Sequence, residues 1–136
     1  MRPGQIVVVP PDTPIREWKS GGKRDTDENK LDYEGFFNPL VIKKFAQYMH
    51  IHRKMSNGSY RDSDNWQNGF GDYEEHEKTC VKSLFRHFMD AWCIHRGDPT
   101  VTACLEDALC GVMFNAMAWL MKVLEKNIEE IDNGKN

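Results

Sequence analysis

The chain has 136 residues and a mass of 15.8 kDa, which fits one domain and excludes a multi-domain enzyme. Hydrophobic residues make up 40% and charged residues 29%, ordinary globular usage that excludes a wholly disordered or fibrous chain. With 18 Lys and Arg against 21 Asp and Glu the formal charge is -3, which excludes a duplex-binding protein built on a broad basic face, so no nucleic-acid partner is expected.

The N-terminal region opens on a β-branched run, Ile6-Val7-Val8-Val9, followed by Pro10, Pro11 and Pro14. It reads as one short strand and a long irregular arm. No charged segment followed by an apolar one opens the chain, so no signal peptide is expected. Further along the arm, Gly22, Lys23, Arg24, Asp25 and Lys30 combine pliable backbone with three cations. This composition suits a phosphate ligand or, equally, a solvated mixed-charge tail. It is not a Walker A loop, whose spacing is missing.

Helical spacing begins at Asn38, an N-cap followed by Pro39 at the first helical position, with Leu40, Ile42, Phe45, Met49 and His52 on successive turns. A helix over about 39–55 is predicted, and its Lys43, Lys44, His50, His52, Arg53 and Lys54 read as a solvated basic face. A polar connection carrying Asn65, Trp66, Gly69 and Gly71 follows. Trp66 either stacks on a base or plugs the end of the bundle. The second predicted helix starts at about 74 or 78 and ends at 95, with Gly97 as its stop. Asp98-Pro99 then reads as N-cap and first turn of a third helix over about 99–127.

From 108 to 121 every residue except Asn115 is apolar, Gly or Cys, so the third helix is expected to be central and covered on most sides. This stretch is shorter than the ~20 residues that span a bilayer, so no membrane role is expected. Cys80, Cys93, Cys104 and Cys110 contain no CxxC pair, which argues against a zinc knuckle and for reduced thiols in the cytoplasm. The predicted fold is all-α: a bundle of three main helices with an irregular N-terminal arm. Three helices alone leave the central one poorly covered, so oligomerisation is expected to complete it.

Helical spacing puts His87, Asp90 and Ile94 on one face of the second helix, and Asp107, Gly111 and Asn115 on one face of the third. Acids facing each other across apolar stripes need cations, either Arg86 or a metal. Hard oxygen ligands suit Mg²⁺ or Mn²⁺. Simpler readings stand beside these. Arg86 and Asp90 also fit a surface ion pair, His87 a satisfied interior histidine, and Glu106 and Asp107 first-turn acids complementing a helix dipole. Asn115, an amide within an apolar helix, requires a partner: a nucleobase edge or neighbouring backbone.

Taken as an ordered set, Arg24-Asp25-Thr26-Asp27, Lys30-Leu31-Asp32-Tyr33-Glu34-Gly35-Phe36, Pro39-Leu40-Val41, Arg61-Asp62-Ser63-Asp64-Asn65-Trp66-Gln67, Arg86-His87-Phe88-Met89-Asp90 and Leu105-Glu106-Asp107-Ala108-Leu109-Cys110 with Phe114-Asn115 resemble the phage dATP/dGTP diphosphohydrolase family. That family includes the MazZ enzymes and is related to the all-α, MazG-like nucleotide pyrophosphohydrolases. The likeness covers about residues 21–125 and divides the chain into an N-terminal extension, 1–20, and one MazG-like domain, 21–136.

The resemblance implies hydrolysis of a purine deoxynucleoside triphosphate, dGTP or also dATP, to the monophosphate and pyrophosphate with Mg²⁺ or Mn²⁺. It also implies a homodimer or homotetramer in phage nucleotide metabolism, in the host cytoplasm, and admits a 2-aminoadenine pathway. By the same likeness Asp90, Glu106 and Asp107 are the metal candidates, and His87, Asp90 and Asp107 the catalytic ones. Arg24, Lys30 and Arg86 would hold phosphates, and Asn65, Trp66 and Asn115 the nucleoside. The wider MazG-like pattern of EExxE and ExxD is not intact: the second helix offers His87-x-x-Asp90, and Cys104 stands three before Asp107. The alternative is a catalytically inactive nucleotide-binding or host-interaction module of the same fold.

Overall fold

Side chains that satisfy free backbone N–H groups mark where most of the helices begin. A computed structural model describes residues 11–26 and 29–134, and the predicted strand at 6–9 lies outside them. Asp32 accepts a hydrogen bond from Gly35 N at 2.9 Å and starts the one-turn helix α1, Tyr33–Phe36. Asn38 accepts from Leu40 N at 2.8 Å and, with Pro39 next, starts α2, Pro39–His52. Asp72 accepts from Glu75 N at 2.9 Å and starts α3, Tyr73–His95. The last helix, α4, covers Leu105–Asn133. The structure is largely helical, as the sequence implies.

Several boundaries differ from the expectation. The arm is not wholly irregular, because Ile15–Glu17 (β1) and Lys23–Asp25 (β2) pair antiparallel, with Arg16 opposite Arg24. Gly21, at φ 90°, makes the turn between them, and its N–H donates to Trp18 O at 2.8 Å. The first predicted helix stops at His52 instead of 55. Beyond it Lys54 and Tyr60 form a β-bridge around a turn at Gly58.

The third predicted helix begins at Leu105 and not at 99. Asp98 Oδ1 accepts from both Thr100 N, at 2.9 Å, and Thr100 Oγ1, at 2.7 Å. These two bonds hold the Asp98 carboxyl below its usual range and close a local turn that does not continue into a helix. At 29 residues α4 also outruns its apolar stretch, and by length and hydropathy it is the one helix among the described residues that meets the requirement for crossing a membrane. Asn115 interrupts it and is bonded to α3 (below).

α4 is central, as expected. It packs along α3 and also meets α2 and the 3₁₀ turn at Asn65–Asn68, whereas the backbones of α2 and α3 do not approach each other. The hairpin approaches no helix. α3 and α4 run antiparallel, with His76 beside Ala118, Ser83 beside Asn115 and His87 beside Gly111. Small residues line this seam: Cys80, Ala91, Ala108, Gly111 and Ala118 are buried. Small side chains bring the helices close and leave the large ones outside.

Coverage of α4 is consequently incomplete in one chain. Leu109 (48% exposed) and Leu120 (55%) are open, as are Phe85 (61%) and Trp92 (47%) on α3. On α2 the predicted stripe is partly displaced: Leu40 and Ile42 are exposed, and Tyr48 is the buried residue.

Candidate nucleotide-binding pocket

Because α2 and α3 each lean on α4 without meeting, a gap opens between them. The gap is a cavity of about 390 Å³, within the range of small-ligand sites. Phe114 and Asn115 of α4 line it, with Trp66 and Phe70 from the connection, Ser83, Arg86 and His87 from α3, and Tyr48, His52 and Arg53 from α2 and its end. Among the sequence candidates, Asn65, Trp66, Arg86, His87 and Asn115 come together here. Arg24 and Lys30 do not line the cavity: Arg24 lies in the exposed hairpin and Lys30 is exposed.

The aromatic wall is built by edge contacts. Trp66 meets Phe114 edge-on with ring centroids 5.8 Å apart, and Phe70 meets Phe114 at 6.5 Å. Behind them stands His76, fully buried. Its Nδ1 accepts from Phe70 N at 3.0 Å, so the proton lies on Nε2, which donates to Ala118 O at 2.8 Å. Phe70 stacks on this ring at 5.2 Å. One neutral imidazole thereby fastens the connecting loop to α3 and α4. His76 is not among the residues singled out from the sequence. Its signal was the four-residue spacing to Cys80, which puts both on one face.

Asn115, 3% exposed, sits at the centre of the lining. Its Nδ2 donates to Gly111 O at 2.8 Å and Ser83 Oγ at 3.1 Å. A carbonyl can only accept, so Gly111 fixes which way the amide faces. Both amide hydrogens are used. Oδ1 takes part in neither bond, leaving an acceptor in the cavity lining for a ligand N–H.

His87 rests against α4 where Gly111 presents no side chain. Burial pushes its pKa below the ordinary imidazole value; Asp90 opposes this, while Arg86 and His52 add to it. His87 is therefore neutral near pH 7 and competent to accept a proton. Tyr48 shifts the other way: burial, then Cys110 and Asp107, raise its hydroxyl above the ordinary value.

The acids are dispersed. Asp107 is half-exposed and pairs with Lys44 at 3.5 Å, bridging α4 to α2. Glu106 is exposed and Asp90 half-buried. Neither Arg86 nor Asp90 is in an ion pair among the described residues. No three His, Cys, Asp or Glu side chains among the described residues gather as a metal-holding group. Among the described residues Asp62 is the one acid lining the cavity. No protein-family model matches the chain, and comparison with curated proteins and with solved structures finds no match.

Proposed function

We propose that the chain binds a purine deoxynucleoside triphosphate between α2, α3 and α4 and hydrolyses it to the monophosphate and pyrophosphate, with Mg²⁺ or Mn²⁺ as the cation. One observation supports this above the others: Asn65, Trp66, Arg86, His87 and Asn115, far apart in sequence, line the same cavity. An aromatic ring for stacking, an amide oxygen for a base N–H, a guanidinium for phosphate and a neutral imidazole are the parts a nucleotide site needs. In this reading Trp66 and Asn65 flank the nucleoside, Asn115 meets its base and His87 accepts a proton from the attacking water.

The reading assigns the cation to Asp90, Glu106 and Asp107. When bound, such a cation would neutralise phosphate charge. A single chain does not gather these acids, so the chain's own contribution is binding, orientation and proton acceptance. A second copy covering the exposed faces of α3 and α4 belongs to the same proposal, since Phe85, Trp92, Leu109 and Leu120 are open in one chain.

Incubating the protein with dGTP or dATP and Mn²⁺ or Mg²⁺ and separating the products tests the activity. Monophosphate and pyrophosphate are expected; their absence with every divalent ion would overturn it. The dispersed acids favour a second reading, a nucleotide-binding module without turnover. It predicts dGTP binding that Asp107→Asn leaves unchanged.

A further inference from the structure

Arg53 and Arg61 were not among the residues expected to meet a ligand, yet both line the cavity. Arg53 follows the last residue of α2, and Arg61 lies across the Lys54–Tyr60 bridge. Each guanidinium is held by neutral groups. Arg53 Nη1 donates to Arg61 O at 3.1 Å, Arg53 Nη2 to His50 Nδ1 at 3.2 Å, and Arg61 Nη2 to His52 O at 2.6 Å. Arg61 N donates to Arg53 O at 3.0 Å, and Arg53 lies over the Tyr60 ring at 5.5 Å.

We propose that Arg53 and Arg61 are the seat for the phosphate tail of the nucleotide, a role the sequence had given to Arg24 and Lys30. This rests on the reading of the cavity as a nucleotide site. A guanidinium has five N–H donors, and these anchors leave most of them unspent while fixing the planes of both groups. Among the described residues neither arginine is in an ion pair, so no acid already occupies either guanidinium.

Arg86 adds a third guanidinium from α3, against Asp62 as the single acid of the lining among the described residues. Three like charges around one cavity repel one another, and a polyanion relieves that repulsion while accepting forked hydrogen bonds. Trp66, Phe70, Phe114 and Asn115 come from the connecting loop and α4, Arg53 from α2's end, Arg61 from just beyond the Lys54–Tyr60 bridge and Arg86 from α3. The cavity thus has both an apolar wall for a base and cations for its phosphates.

The test is calorimetric titration of the full chain with deoxyguanosine, dGMP, dGTP and inorganic tripolyphosphate in Ca²⁺-free, Mg²⁺-free buffer, for wild type, Arg53→Gln, Arg61→Gln and Arg24→Gln. Since both arginines also brace the end of α2, Arg53→Lys and Arg61→Lys are titrated alongside, with melting curves to establish folding. The expected result is that tripolyphosphate competes with dGTP and that each Gln variant weakens dGTP about tenfold or more. The Lys variants fall between, deoxyguanosine binding stays within about twofold, and Arg24→Gln has no effect.

Equal loss of deoxyguanosine and dGTP in folded variants would overturn the proposal, because the arginines would then only shape the cavity. Unchanged dGTP binding in Arg53→Gln and Arg61→Gln would overturn it as well. Tripolyphosphate binding lost in these variants, with no binding of any nucleoside or nucleotide, would uphold the anion seat and overturn the nucleotide reading. Binding of none of the four ligands to wild type overturns both.

Discussion

The His87 imidazole occupies the space that a side chain on Gly111 would need: a Cβ built there falls against the ring's Cγ and Nδ1. Gly111 lies inside α4, where glycine ordinarily weakens a helix by about 0.5–1 kcal/mol relative to alanine. Here the sign reverses. Gly111→Ala is expected to destabilise by about 1–3 kcal/mol through overpacking at the seam. Urea unfolding measures it, and a gain in stability would show that the ring yields without strain.

His87 also gives a pH dependence. A base whose pKa is lower in the folded chain binds fewer protons there than when unfolded in the intervening range. Its contribution is complete above the ordinary value of 6.5 and is lost as pH falls through the lowered one. Melting temperatures taken between pH 8 and pH 5 should therefore fall more steeply for wild type than for His87→Gln. If both lines are parallel, burial of His87 does not contribute.

His76→Ala removes the acceptor for Phe70 N and the donor to Ala118 O from a buried position. The expected loss is about 2–4 kcal/mol, from unpaired backbone groups and a cavity. Because Phe70 and Trp66 both meet Phe114, tryptophan fluorescence should change before global unfolding, as the loop detaches.

Trp66→Ala and Asn115→Leu probe the two parts of the base site. Stacking on an aromatic ring is worth about 1–3 kcal/mol, so Trp66→Ala should weaken dGTP binding by roughly fivefold to a hundredfold. Asn115→Leu removes the amide oxygen and should weaken a base bearing an N–H donor more than one without. Titration with dGTP and with the triphosphate of unsubstituted purine separates the effects.

The thiols should react in order of access. Cys104 is exposed and Cys93 half-buried, whereas Cys80 and Cys110 are buried with thiol pKa values that burial pushes up. Iodoacetamide at pH 8 should label Cys104 first, then Cys93, and reach the other two only on unfolding. Peptide mass spectrometry reads the order.

Local chemistry was the legible part of the fold. Asn38-Pro39 announced its helix because cap and first-turn residue act within a few positions. Asp98-Pro99 has the same outward form and makes the same bond to the N–H two residues on, yet the chain leaves that turn and becomes helical only at Leu105. In the pocket, Asn115 was legible because an amide in an apolar run must be answered for. Arg53 was hidden among helix-one cations, as nothing in spacing distinguishes a solvated arginine from one folded back onto Arg61. The partnership of His76 with Ala118 spans 42 positions, and only the antiparallel register of α3 and α4 reveals it.

The separation of α2 from α3 bears on how a ligand enters and leaves. α2 reaches the central helix through few neighbours, among them the half-exposed Lys44–Asp107 pair, while α3 and α4 share a long close seam. Opening free energies follow such differences. Amide hydrogens of α2 should exchange with solvent sooner than those of the seam, so the cavity can unlatch along one wall while the other two stay shut.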